Sequence, residues 1–294
     1  MLMPDKSTYS QIKNNSLKGS RPIQVIAVTS GKGGVGKTNV SANLATAMVA
    51  NGKKVILLDA DMGLANIDVM LGLKPKYNLS DVISGEKSLQ EVMVTTPTGL
   101  QIIPAASGIK LMTELSPMQH AGLIRAFSDI TTDLDALLVD TAAGISDTVI
   151  SFCQASQEII VVVCDEPTSI VDSFALIKVL SRDHGVSHFH ILSNMTQSNQ
   201  EGRELFMKLL NVADKYLDIT TSYLGTIPYD DCLRKAVKKQ KVVVEAFPRS
   251  RSSVAFKNLA LKTGKWPQVD SPGGHVEFFV ERLIGSKTNI SESR

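Results

Sequence analysis

The chain has 294 residues, 43% of them hydrophobic and 5% aromatic, long enough for one large or two ordinary domains with a buried core, which excludes disorder of the whole chain. Its longest unbroken apolar stretch, Ile159 to Cys164, is far below the ~20 residues a bilayer-spanning helix needs, and Met1 to Pro22 carry no apolar signal core, so a cytoplasmic protein is expected. The net charge of +2 is unevenly spread, with +9 between Cys232 and Lys265 and an acidic remainder, a pattern that suits contact with nucleic acid, anionic lipid or an acidic protein as well as it suits a solvated helix face.

Residues 1–22, rich in Ser, Asn and Lys, read as a mobile arm ahead of the fold. A first strand, Ile23 to Val28, runs into Ser30-Gly31-Lys32-Gly33-Gly34-Val35-Gly36-Lys37-Thr38. The positions of Val40, Leu44, Ala47 and Met48 then predict an amphipathic helix over Thr38 to Ala50, stopped by Asn51-Gly52. Further strand-length runs follow at Lys54 to Leu58, Leu100 to Ile103, Ala136 to Val139, Ile159 to Cys164, Phe189 to Leu192 and Tyr223 to Ile227. Helical spacing lies between most of them, as at Pro117 to Thr131 after Ser116, Ser169 to His184 before Gly185, and Gln200 to Leu217. Several strands are apolar at every position, which indicates burial on both faces. The expected fold class is therefore α/β, a doubly wound, mostly parallel sheet with helices on both faces, over residues 23–268. Residues 269–294 would form a C-terminal helix and tail, with Val276, Phe279, Val280, Leu283 and Ile284 on one stripe and Glu277, Glu281 and Arg282 on the polar face.

The strand, glycine-rich loop and helix around Gly31 to Thr38 make a P-loop in its required context. Its backbone N–H groups can wrap phosphates in conformations that a Cβ would forbid, and the helix N-terminus adds partial positive charge. Lys37 is placed to neutralise the β and γ phosphates of a nucleoside triphosphate, and the Thr38 hydroxyl to ligate Mg²⁺. Lys32 is a second cation inside the loop, suited to stabilise charge on the γ-phosphate. Ligands of parallel sheets sit at the carboxyl ends of strands, which selects Asp59, Asp61 and Asp140. Asp140 would anchor Mg²⁺, and Asp59 or Asp61 would orient the metal or the attacking water. His188 and His190 share a strand face without an evident third ligand, so they read as ordinary histidines. Cys153, Cys164 and Cys232 form no Cys-x-x-Cys pair and read as packing residues.

Gly31-Lys32-Gly33-Gly34-Val35-Gly36-Lys37-Thr38, with its extra Lys32, resembles the deviant Walker A box of the MinD/ParA ATPases. The blocks Leu58 to Asn66, Asp165 to Ser169 and Gly274 to Phe279 are most similar to the MinD-like regulators of polar flagellar number. The resemblance implies an Mg²⁺-dependent, slow, regulatory ATPase that forms a homodimer with ATP at the interface. Lys32 would reach the partner's phosphates, Asp61 would position water, and Thr38, Asp59 and Asp140 would support the metal. Asn194 and the Ile227-Pro228 turn would hold adenine. The implied partners are the master flagellar transcription activator, a polar flagellar GTPase and, through the C-terminal helix, inner-membrane lipid at the cell pole. Ser10-Gln11-Ile12 and Leu17-Lys18 match poorly the arm with which some of these regulators stimulate that GTPase. Three rivals are open, one of them a bacterial tyrosine kinase of P-loop type, which would need a tyrosine-rich tail, whereas no tyrosine follows Tyr229. A partition ATPase would bind DNA through Arg234, Lys235, Lys238, Lys239 and Lys241, although direct DNA binding is not the expectation. An electron-transfer iron protein would need a cluster-ligating cysteine close behind Asp140.

Overall fold

Eight strands form one sheet in the order β3-β4-β2-β5-β1-β6-β7-β8 in a computed structural model that describes residues 23–61, 66–104, 117–130, 134–266, 279, 280 and 283. The strands are β1 (Gln24–Ser30), β2 (Val55–Ala60), β3 (Val94–Thr95), β4 (Gln101–Ile103), β5 (Ala136–Ala143), β6 (Glu158–Cys164), β7 (His188–Thr196) and β8 (Thr220–Pro228). All neighbours pair in parallel except β3, which runs antiparallel to β4 at the edge. The strand order reverses at β1, whose neighbours are β5 and β6. In an open parallel sheet that reversal opens a crevice at the carboxyl ends of the strands.

Both faces of the sheet are apolar. Ile26, Val28 and Leu138 pack into one core cluster, whereas Val25, Leu137 and Val139 pack into a second and Ala27, Val161 and Val163 into a third. This two-sided burial explains why the strand sequences do not alternate with polar residues. The helices are α1 (Lys37–Ala50), α2 (Ile67–Leu71), α3 (Leu79–Ile83), α4 (Leu89–Val92), α5 (Pro117–Ser128), α6 (Asp147–Ala155), α7 (Pro167–Arg182), α8 (Asn199–Tyr216), α9 (Asp231–Lys238), α10 (Val243–Ala246) and α11 (Arg251–Thr263).

One expectation is corrected at α1. Its sequence suggests an amphipathic helix, yet Val40 to Met48 are all buried, Ser41, Asn43 and Thr46 included. The three polar side chains fit because each is hydrogen-bonded: Ser41 Oγ donates to Lys37 O at 3.1 Å and Asp140 Oδ1 at 2.8 Å, Asn43 Nδ2 to Asn39 O at 2.8 Å, and Thr46 Oγ1 to Ala42 O at 2.8 Å. Helix α1 is thus a central element without a wet face, covered by the sheet on one side and by α10 and α11 on the other.

Among the described residues no helix is long and apolar enough to cross a membrane. The expected arm at 1–22 lies outside the described residues, as do Ser116 and two members of the C-terminal stripe, Val276 and Ile284. Phe279, Val280 and Leu283 of that stripe are buried in the second core cluster, with the Phe279 and Phe152 rings stacked 6.3 Å apart.

Candidate functional site

The P-loop leaves β1 at Ser30 and enters α1 at Lys37. Gly36 precedes the helix with φ of 89°, a left-handed conformation, and no side chain caps the first turn. A Cβ on Gly36 would meet Asn194 Nδ2 at 2.6 Å, so the loop must bring bare backbone against β7 there. Gly31 is pressed against the backbone of Asp172 in α7, where a Cβ would overlap the chain. The first-turn N–H groups of a helix without a side-chain cap form an anion site, and the loop wraps that site with backbone.

Lys37 is buried, and its ammonium donates to Ser30 Oγ at 3.0 Å. Burial lowers its pKa, while the charges of Asp140 and Asp61 act in the opposite direction. Lys32 instead lies at the surface. Its Nζ donates to Glu166 Oε2 at 2.5 Å and Thr168 Oγ1 at 2.9 Å, and the Glu166 bond raises its pKa. Both partners belong to the Asp165 to Ser169 block, whose contact with the loop was not visible in sequence spacing.

The strand-end acids converge beside the loop. Asp59 and Asp140 are register partners on β2 and β5, and both are buried. Burial pushes Asp140 up to about 6, opposed by hydrogen bonds from Ser41 and Thr38 and by the charge of Lys37. Burial and then the Asp140 charge push Asp59 up to about 7. The Asp59 carboxylate also accepts backbone N–H bonds from Asp61 at 3.1 Å, Asn66 at 3.3 Å and Ile67 at 3.3 Å, and so holds the backbone at Asp61 and at the start of α2. Two adjacent buried carboxylates next to a hydroxyl supply hard oxygen donors whose mutual repulsion a divalent cation relieves, which fits Mg²⁺.

Asn194 and Pro228 line a cavity of about 230 Å³ with Gly36, Val40, Met195 and Tyr229. Asn194 Nδ2 donates to Val35 O at 2.7 Å, tying β7 to the loop. A register irregularity between Asn194 and Thr196, with Met195 at φ of 59°, turns the end of β7 around this cavity. Tyr229, Leu233 and Arg234 of the wall were missed from sequence because they fall in or beside the basic segment. Arg234 Nη1 donates to Tyr229 Oη at 3.1 Å. The basic segment is also partly occupied within the fold: Lys241 pairs with Glu245 at 3.0 Å, Lys262 donates to Leu224 O at 2.8 Å and Arg251 to Gln197 O at 3.2 Å. The Cys153 and Cys164 thiols are buried and pushed up to about 12 and 11, protonated packing groups.

Asp230 closes the base of the cavity as the cap of α9. Burial pushes its carboxyl up, but bonds from Ser252 N at 3.0 Å, Ser252 Oγ at 2.8 Å and Cys232 N at 2.8 Å outweigh it and hold the pKa near about 2. The stabilisation is present above the ordinary value of 3.8 and is lost as pH falls towards 2. Asp230→Ala should cost about 1–2 kcal/mol at neutral pH, read from chemical denaturation, with the gap to wild type narrowing in acid.

Comparison with known proteins agrees with this geometry. Residues 22–263 match a family described as "ParA: NUBPL iron-transfer P-loop NTPase". The chain is 61% identical to the antiactivator FleN of Pseudomonas aeruginosa, over 90% of this chain and 94% of that protein. It is 34% identical to the flagellum site-determining protein YlxH of Helicobacter pylori, over 88% and 89% of the two chains. The MinC:MinD cell division complex of Aquifex aeolicus superposes with a TM-score of 0.65 at 27% identity, covering 84% of this chain and 98% of that one. With its P-loop, extra loop lysine and sheet order, the chain belongs to the ParA/MinD family of P-loop NTPases.

Proposed function

We propose that this chain is an ATP-driven switch that restrains flagellar number. The observation that carries the reading is its 61% identity, across 90% of the chain, with the antiactivator FleN. In this reading ATP assembles a homodimer and hydrolysis to ADP returns monomers. Lys37 and the N–H groups of Gly31 to Thr38 hold the phosphates, Asn194 and Pro228 hold adenine, and Lys32 leaves Glu166 to reach the partner's nucleotide. Thr38, Asp140 and Asp59 hold Mg²⁺, which when bound neutralises the β and γ phosphate charge. Asp61 positions the attacking water. The ATP-bound form acts on the master flagellar transcription activator and on a polar flagellar GTPase, with peripheral attachment to the inner membrane through the C-terminal segment.

The experiment is a count of flagella per cell by electron microscopy in a strain lacking the gene. Excess flagella, returned to normal by the wild-type gene, are expected. Normal flagella would remove the flagellar role and leave the nucleotide site standing, and ATP-dependent, salt-sensitive DNA binding would then move the role to partition.

A further inference from the structure

At the amino-terminal end of the sheet, away from the P-loop, two histidines and a glutamate meet. Parallel pairing of Ile160 with His190 sets Glu158 level with His188, and the two-residue period of a strand puts all three side chains on one face. One ligand atom from each of Glu158, His188 and His190 lies within 4.8 Å of the other two. His190 is nearly buried, with Nε2 at 2.7 Å from Glu158 Oε2 and Nδ1 at 2.6 Å from Ser222 Oγ. The His188 ring is exposed, its centroid 4.5 Å from that of His190. The chain's single tryptophan, Trp266, stacks flat on His190 at 3.9 Å.

We propose that Glu158, His188 and His190 bind one divalent zinc-class ion, with a fourth position open on the exposed side. A half-buried Glu158–His190 hydrogen bond by itself needs no second imidazole, yet His188 brings one to it. Ligand bonds of ~2.0–2.2 Å place tetrahedral donors ~3.3 Å apart, so three atoms already within 4.8 Å reach that spacing by small side-chain rotations. The ion takes the place of hydrogen between His190 Nε2 and Glu158 as the neutral ring's one proton moves from Nε2 to Nδ1, and Nδ1–H then donates to Ser222 Oγ, whose own hydrogen turns away. That second bond fixes the tautomer and the ring plane, as the outer partners of metal-bound histidines do. Two imidazoles and one carboxylate select a borderline ion such as Zn²⁺ over Mg²⁺, which prefers all-oxygen donors. Six residue steps along β6 separate Glu158 from the strand's carboxyl end at Cys164, about 20 Å at ~3.3 Å per step, so this ion and the nucleotide occupy opposite ends of the sheet.

The test is calorimetric titration of the full-length, tag-free protein with Zn²⁺ in excess Mg²⁺, together with quenching of Trp266 fluorescence by Ni²⁺. One Zn²⁺ per chain is expected, with affinity falling about tenfold or more in His188→Ala, an exposed position whose loss leaves the core intact, and unchanged in His184→Ala. Ni²⁺ should quench Trp266 in the wild type and far less in His188→Ala. Absence of saturable Zn²⁺ binding, or an affinity equal in wild type and His188→Ala, overturns the site.

Discussion

Lys37→Ala should abolish ATP binding at concentrations that saturate the wild type. Lys37 is buried beside the turn of the P-loop, held by Ser30 at 3.0 Å and balanced by the charges of Asp140 and Asp61. Removing one partner of a desolvated charge pair costs about 2–5 kcal/mol, which is about 30- to 4,000-fold in affinity. The loss is asymmetric. Without the ammonium, the triphosphate faces Asp140 and Asp61 directly, so repulsion adds to the missing attraction. Isothermal titration with Mg²⁺ and ATP measures the effect, and a far-ultraviolet circular dichroism spectrum equal to wild type shows that the fold survives. Micromolar binding retained in the variant would remove Lys37 from the phosphate site.

Asp61→Ala should keep nucleotide binding and lose turnover. The Asp61 backbone is pinned by Asp59 Oδ1 at 3.1 Å, and its charge reaches both Lys37 and Asp140. A residue that positions a reacting water contributes about 10²- to 10⁴-fold to rate, so hydrolysis should fall by at least about a hundredfold while ATP affinity changes little. The proposed ATP-bound dimer, no longer emptied by hydrolysis, should then accumulate, and size-exclusion chromatography in saturating ATP should show it as the main species. A monomer under those conditions would assign Asp61 to a different step. The two substitutions separate binding from turnover, since Lys37→Ala should be monomeric in every nucleotide.

The sheet was legible where the chemistry is local. Unbroken apolar runs such as Ile159 to Cys164 can be satisfied only by burial on both faces, and the Gly31 to Thr38 spacing has one efficient use between a strand and a helix. What was hidden depends on partners distant in sequence. The strand β3 is two residues long and, among the described residues, pairs with β4 alone. The polar side chains of α1 look like a solvent face until Asp140, 99 residues from Ser41, is brought beneath them. His188 and His190 lack a ligand in sequence because Glu158 arrives from the neighbouring strand. The basic segment reads as a surface patch, but it also supplies Arg234 to the wall of the cavity lined by Asn194 and Pro228, and pairing inside the fold takes up Lys241, Arg251 and Lys262. The carboxyl end of the chain read as a stripe of five apolar residues, of which Phe279, Val280 and Leu283 are the ones found packed on Phe152 and its neighbours.

The contact between Lys32 and Glu166 also bears on tempo. Both side chains are well exposed, at 35% and 59%, and surface ion pairs are weak and further screened by salt. Exposed side chains change rotamer on the order of picoseconds to nanoseconds. In the proposed cycle the lysine would therefore sample other positions many times during one encounter between two chains, and its release from Glu166 would not be the slow event. On that proposal Glu166 sets where the cation waits, and the clock would be left to steps that involve bond cleavage or the meeting of whole molecules.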